Sequence, residues 1–276
     1  MYRSERTDGY FKSPEDAPPS RLAMMRAYID ESGHEGRGYV VVAGFFGDEK
    51  AWEAFEPKWR AALGQRQTLH MTALRWKKDS TRRLLERLAP IPNACGLLRC
   101  IGGVKVSDYE DLIDEPISMM YPHGSLYVPA NVIVPIKGYE AVLAPMVINV
   151  LRGVPNTERI EFVFEEQREY APAVDNVMAF ASMKDMAYKV TKDGKPKIAK
   201  WGFVPKGSTV MTDPADYLAF ATREHCTNPN MKKAKWTRAI LEAGDGQAFG
   251  RIMTRDEIRS RIKTSRALFK RLYERA

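Results

Sequence analysis

The chain has 276 residues, of which 44% are hydrophobic and 28% are charged, a composition typical of a globular protein with one large domain. Its three cysteines (Cys95, Cys100 and Cys226) include no Cys-x-x-Cys pair. This argues against a disulfide framework or zinc ribbon and favours a reducing compartment. The longest uncharged apolar stretch, 141–151, is interrupted by Pro145 and is too short to span a membrane. The sequence therefore predicts a cytoplasmic protein with no membrane contact.

The positive charge is concentrated near the C-terminus. The net charge is +8, and residues 231–276 contain 13 Lys or Arg against 5 Asp or Glu, so this segment holds the whole surplus. Such a surplus favours a polyanionic partner, with nucleic acid (DNA or RNA) as the first candidate. The best candidate contacts are Lys232, Lys233, Lys235 and Trp236, because lysines neutralise phosphates and tryptophan stacks on unpaired bases. A solvated basic helix face and a core tryptophan are the alternatives.

Hydrophobic periodicity and helix caps predict alternating strands and helices, hence an α/β domain over 23–230 with a basic helical extension over 231–276. A polar, Pro-containing segment over 1–22 is typical of a disordered leader, and a Pro/Tyr-rich segment near 115–137 is typical of an irregular insertion or lid. The predicted elements, in chain order, are a hairpin over 27–46, helices over 48–63 and 79–88, a strand over 97–106, a helix over 138–152, a strand over 159–164, a helix over 172–187, a hairpin around 193–194, a helix over 212–223 and a closing helix from 254.

The apolar stretch Ala27-Tyr28-Ile29 ends in two adjacent carboxylates, Asp30 and Glu31, followed by a turn. Two negative charges side by side at a strand end repel each other, and a divalent cation is the commonest group that offsets such repulsion. The alternative is that Asp30 is a turn residue that accepts backbone N–H bonds.

Carboxylates also stand at two other predicted element ends. Glu165 and Glu166 follow a later strand, and Asp213 and Asp216 lie at a helix start. Phosphodiester cleavage by two metal ions needs oxygen ligands from several rigid elements, which hold the ions about 3.5–4 Å apart. The alternatives are a solvated strand end for the glutamates and an N-cap or dipole role for the aspartates.

Several of these motifs together resemble one family. Tyr28-Ile29-Asp30-Glu31-Ser32-Gly33, the strand 40–44, the Trp52/Trp59 helix, Leu69-His70-Met71-Thr72 and Ala215-Asp216-Tyr217-Leu218-Ala219 are similar to the domain-of-unknown-function 3800 family. The similarity covers roughly 24–225. That family resembles the ribonuclease H-like nuclease fold, a mixed central sheet flanked by helices, and the Asp-Glu pair is also similar to the opening motif of type-2 ribonucleases H.

The resemblance implies roles for particular residues. Asp30 is the expected metal ligand on the first strand with Glu31 as an auxiliary group, Glu165 stands at the fourth-strand position, and Asp216 matches the acid of the last catalytic helix. Glu165 departs from the usual Asp there, which leaves Glu166 as an alternative ligand. An acid from the first helix is also expected, and Glu53 and Glu56 are available in this sequence.

His70 has two interpretations, proton transfer near the attacking water or leaving group and a buried or capping histidine in a connection. With Asp30, Glu31, Glu165 and Asp216, it completes the candidate catalytic set. The sequence thus predicts a Mg²⁺- or Mn²⁺-dependent nuclease with Asp30, Glu165 and Asp216 as metal ligands. A non-catalytic nucleic-acid-binding module on a degenerate nuclease fold is the alternative.

Overall fold

A computed structural model describes residues 10–12, 24–33, 38–108, 117–121, 124–128, 138–182, 189–243 and 248–260. The strands are β1 Tyr10–Lys12, β2 Met24–Ser32, β3 Tyr39–Gly47, β4 Leu98–Lys105, β5 Ile117–Tyr121, β6 Gly124–Val128, β7 Arg159–Glu165, β8 Ile198–Val204, β9 Ala248–Phe249 and β10 Ile252–Met253. The helices are α1 Glu49–Leu63, α2 Asp79–Leu88, α3 Ile91–Ala94, α4 Gly138–Gly153, α5 Ala171–Ala181, α6 Asp213–Thr227 and α7 Lys232–Glu242.

A mixed eight-stranded sheet forms the centre of the protein. Its order is β1-β8-β7-β2-β3-β4-β10, and β9 pairs with β4. β2 is antiparallel to β3 and parallel to β7, which is in turn parallel to β8. The expectation of an α/β domain with a mixed central sheet flanked by helices is confirmed.

Helices cover both faces of the sheet because its central strands are apolar on both sides. Along β2, Ala27 and Ile29 pack in the layer with α4 and α5, whereas Tyr28 packs in the layer with α1, α2 and α6. Since successive side chains of a strand point to opposite faces, Asp30 shares the face of Tyr28 and therefore lies on the α6 side.

Local sequence signals account for the helices that border this face. The Asp48 carboxylate accepts a hydrogen bond from the Ala51 N–H at 2.8 Å and caps α1, as predicted. Trp52 and Trp59 lie on the buried face of that helix. In α6, Pro214 occupies the first turn, where its missing N–H costs no helical bond.

The predicted hairpin near 193–194 is an isolated bridge between Val190 and Pro196, with Gly194 in the left-handed region at φ 76°. Lys197 belongs to the interior: its ammonium donates to the carbonyls of Leu151 and Val154 at 2.8 and 2.6 Å. This lysine therefore satisfies the C-terminal end of α4 and offers no charge to a partner.

Three predicted segments are only partly described. Within the leader, Tyr10–Lys12 forms a strand antiparallel to β8, and within the insertion β5 and β6 pair with each other. The closing helix is described over 255–260, and Thr254 and Glu257 form the expected capping box at its start. The rest of these segments lies outside the described residues, as do residues 183–188 at the end of the predicted helix over 172–187. No helix in the described part of the chain has the length and apolar character of a membrane span.

Candidate active site

Asp30 and Glu165 lie side by side on two adjacent parallel strands. The register of β2 and β7 pairs Ile29 with Phe164, so the next positions along both strands are Asp30 and Glu165. Neighbouring strands are about 4.8 Å apart, and period-2 alternation directs both carboxylates to the α6 side. Both residues are buried, at 2% and 8% exposure, whereas Glu166 is exposed. Of the two glutamates, Glu165 is therefore the one at the site.

Glu31, the next residue of β2, is half-buried as a whole, and its carboxylate interacts electrostatically with Glu165 and Asp216. Burial and the charge of Glu165 raise the pKa of Glu31 to about 8, although Lys206 opposes this shift. Its Oε1 atom is inaccessible to solvent and has no hydrogen-bond partner in the described part of the chain. A buried carboxylate oxygen with no partner is costly, which makes Glu31 a candidate to bind a cation.

Asp216 enters the site from the first turn of α6. Its Oδ2 accepts a hydrogen bond from the Met71 N–H at 2.9 Å and lies 3.2 Å from His70 Nδ1. The other ring nitrogen of His70 lies 2.9 Å from Thr72 Oγ1. The hydrogen bond to Asp216 raises the pKa of His70. His70 thus orients one carboxylate of the site while its own side chain stays 41% exposed.

Asp213 does not cap α6 as its position at the helix start suggests. Thr212 is the N-cap residue, and Asp213 Oδ2 accepts hydrogen bonds from Trp59 Nε1 at 2.9 Å and the Leu69 N–H at 2.8 Å. Burial raises the pKa of Asp213 to about 7, against the effect of these two donors. Asp213 therefore connects α1, the segment that carries His70, and the start of α6.

Lys206 brings a positive charge to the carboxylates from the loop after β8. Its Nζ lies 3.1 Å from Glu165 Oε2 and forms an ion pair with it. The other oxygen, Oε1, accepts a hydrogen bond from the Gly207 N–H at 3.3 Å. Gly207 has φ 69°, a left-handed conformation that glycine adopts at no steric cost.

The four carboxylates form one electrostatic unit, the acidic cluster of Asp30, Glu31, Glu165 and Asp216. Burial, together with the charges of Glu31, Asp216 and Glu165, raises the pKa of Asp30 well above its usual range. Burial and the charges of Glu31 and Asp30 likewise raise the pKa of Tyr139 on the α4 side. Such excess negative charge in a buried setting is characteristic of functional sites.

The donor set of this cluster suits a hard divalent cation, because Mg²⁺ is bound through one or two carboxylates plus water and phosphate oxygens. The partnerless Glu31 Oε1 fits the same interpretation. No three His, Cys, Asp or Glu side chains among the described residues form a preformed metal cluster.

The predicted nucleic-acid contacts lie on α7, next to α6. Lys232 Nζ lies 4.1 Å from the ring centroid of Trp236, and that ring lies 6.3 Å from Trp76. Trp76 stacks on Phe220, one helical turn beyond Asp216, with centroids 5.2 Å apart. Lys233 Nζ approaches Trp76 at 5.6 Å, and Lys235 is exposed. These residues form a half-buried basic and aromatic surface, so Trp236 is partly a packing residue.

The structure brings together the predicted Asp30, Glu31, Glu165, Asp216 and His70. Glu56, one of the first-helix candidates, instead pairs with Arg60 on α1 at 2.8 Å, and Glu53 is exposed. Sequence reasoning missed Lys206, since a lysine-glycine pair after a strand is typical of any surface loop. No family model, curated protein or solved structure matches the chain.

Proposed function

We propose that the protein is a divalent-metal-dependent nuclease with a ribonuclease H-like core. The observation that supports this most strongly is the convergence of Asp30, Glu165 and Asp216 from two parallel strands and one helix on the same face of the sheet. Carboxylates on rigid elements are what phosphodiester cleavage by two cations requires. The basic surface on α7 supports a nucleic-acid substrate.

In this proposal Asp30, Glu165 and Asp216 would hold Mg²⁺ or Mn²⁺, with Glu31 as an auxiliary group. When bound there, such cations would supply activation of the attacking water and stabilisation of the leaving oxygen. The chain itself fixes the geometry: the Met71 N–H and His70 orient Asp216, and the Gly207 N–H orients Glu165. His70, exposed at the rim, is available to move a proton to or from solvent.

A second candidate function is a non-catalytic nucleic-acid-binding module on the same fold. It is favoured by the Lys206–Glu165 ion pair, which neutralises one of the proposed ligands. This candidate predicts salt-sensitive binding through the α7 surface with no stabilisation by divalent ions.

Cleavage of labelled RNA, DNA and RNA–DNA hybrid with Mn²⁺ tests the proposal. We expect activity in the wild type, and a loss of at least about 100-fold in Asp30→Asn and Asp216→Asn, because removal of a ligand charge removes an interaction with the transition state. Glu166→Gln is the matched control, since this exposed glutamate adjoins Glu165. Equal trace activity in all four proteins would refute the nuclease and leave the binding module.

A further inference from the structure

Lys206 is a cation inside an otherwise acidic site, and the proposed cleavage by bound metal ions does not require it. Its side chain is 49% exposed, whereas that of its partner Glu165 is 7% exposed. The ammonium therefore lies at the mouth of the acidic cluster, where it pairs with a buried carboxylate.

Glu165 does not depend on Lys206 for its position. The Gly207 N–H holds Oε1, and the backbone of β7 fixes the residue within the sheet. The contact between Lys206 Nζ and Glu165 Oε2 is an ion pair of 3.1 Å. Because the Lys206 side chain is half-exposed and has a flexible four-carbon stem, its ammonium can turn to a second anion.

A nucleic acid must bring its phosphates close to several carboxylates in order to reach this site. Such an approach is repulsive unless cations offset it. Lys206 is the described lysine that lies against the cluster, and its charge acts on Glu31 and on His70 as well as on Glu165.

We infer that Lys206 is a phosphate-binding residue, held against Glu165 in the free protein and transferred to a phosphate of bound nucleic acid. This inference rests on the proposed function, because it assigns the site a nucleic-acid substrate. It also gives the ion pair a role: Lys206 neutralises Glu165 until the substrate and its cations arrive.

Binding measured without metal ions tests the inference. Fluorescence anisotropy in EDTA would follow labelled single-stranded RNA, single-stranded DNA and RNA–DNA hybrid as a function of salt. The substitution Glu165→Gln removes the charge that holds Lys206. We expect this variant to bind the labelled nucleic acid about threefold to tenfold more tightly than the wild type. Adding Lys206→Met should abolish that gain and lower the slope of log K against log salt by about 0.7 on a single strand or 0.9 on a duplex.

Matched control variants distinguish a specific phosphate contact of Lys206 from a general effect of positive charge on binding. Lys200 lies on β8, the strand that precedes Lys206. Its Nζ pairs with Glu161 at 3.1 Å, and its side chain is 39% exposed. Lys200→Met therefore removes a similar lysine that lies away from the acidic cluster. Lys206→Arg keeps the charge and should retain the salt slope. Thermal midpoints would show that every variant is folded.

The outcomes are distinct. If Glu165→Gln with Lys206→Met binds as tightly and with the same salt slope as Glu165→Gln alone, or if no probe binds, the role of Lys206 is wrong. If binding depends on Lys206 but the wild type cleaves nothing with Mn²⁺, the nuclease is refuted while the phosphate contact stands. If cleavage occurs and Lys206→Met binds normally, only the phosphate contact is refuted.

Discussion

The indole N–H of Trp59 donates a hydrogen bond to Asp213 Oδ2 at 2.9 Å, which joins two residues 154 positions apart in the chain. Both side chains are buried, and the Leu69 N–H donates to the same oxygen. The bond ties α1 to the start of α6 and to the segment before His70. Because Asp216 lies one turn further along α6, this structural carboxylate sets the position of the candidate site.

The buried Asp213 makes stability depend on pH. Its pKa of about 7 in the folded protein exceeds the ordinary value of 3.8. The unfolded chain therefore holds fewer protons between those values, and the free energy of unfolding falls as the pH rises from about 4 to about 7. Asp213→Asn imitates the protonated form and keeps an oxygen for both donors. We expect it to remove this loss, which is at most roughly 4 kcal/mol.

Urea unfolding of the wild type and Asp213→Asn at pH 5 and pH 8 measures the effect. The variant should gain stability relative to the wild type at pH 8 and much less at pH 5. Asp48→Asn, at the exposed cap of α1, is the control for an aspartate that only caps a helix. A variant that is less stable than the wild type by the same amount at both pH values would contradict this account of Asp213.

Divalent cations should stabilise the folded protein through the acidic cluster. A ligand that binds only the folded state adds about 2.7 kcal/mol at 100 times its dissociation constant, which is several degrees in the thermal midpoint. In Asp30→Asn we expect a higher midpoint without metal, because repulsion with Glu31 and Glu165 is relieved, and no rise with Mn²⁺.

Differential scanning fluorimetry with EDTA or Mn²⁺ reports both effects. Glu166→Gln changes an exposed carboxylate beside Glu165 and should keep the full Mn²⁺ shift. A similar Mn²⁺ shift in Asp30→Asn and the wild type would show that the cation binds elsewhere.

His70 should contribute less to cleavage than the residue that it orients. Asp216 keeps its hydrogen bond from the Met71 N–H when His70 is removed, so we expect His70→Ala to lower kcat by roughly 10-fold to 100-fold, at or below the lower end of the range of general acid–base catalysis, which is about 100-fold to 10,000-fold. Because the His70 side chain is half-exposed, we expect His70→Ala to change the free energy of unfolding only a little.

His70→Asn and His70→Ala together separate orientation from proton transfer. The asparagine amide can donate to Asp216 as His70 Nδ1 does, but it cannot exchange a proton near neutral pH. Recovery of kcat in His70→Asn therefore indicates an orienting role, and loss equal to that of His70→Ala indicates proton transfer. Unchanged kcat in both variants would exclude His70 from the reaction.

The fold was more predictable from the sequence than the site. Apolar runs and caps predict β2, β7 and α1 because each depends on neighbouring residues, and Asp30 and Glu165 follow from the ends of two such runs. The role of Asp213 could not be predicted because its partners, Trp59 and Leu69, are distant in sequence. No local sequence pattern indicated a functional role for Lys206.

The lysines of α7 should control affinity for nucleic acid without affecting the acidic cluster. Lys232 and Lys235 lie on the exposed side of that helix, and removal of one phosphate-binding lysine lowers the salt slope by about 0.7 for single strands. Lys232→Ala with Lys235→Ala should therefore lower the slope by about 1.4 and leave the Mn²⁺ thermal shift unchanged. A slope equal to that of the wild type would limit α7 to a packing role.

Crystals grown with Mn²⁺ test the central claim most directly, because the anomalous signal of manganese locates each ion. We expect a peak within coordination distance of carboxylate oxygens from Asp30, Glu165 and Asp216, and no peak at that position in Asp30→Asn crystals. Well-ordered wild-type crystals with no peak among these three residues would contradict the proposed metal-dependent site.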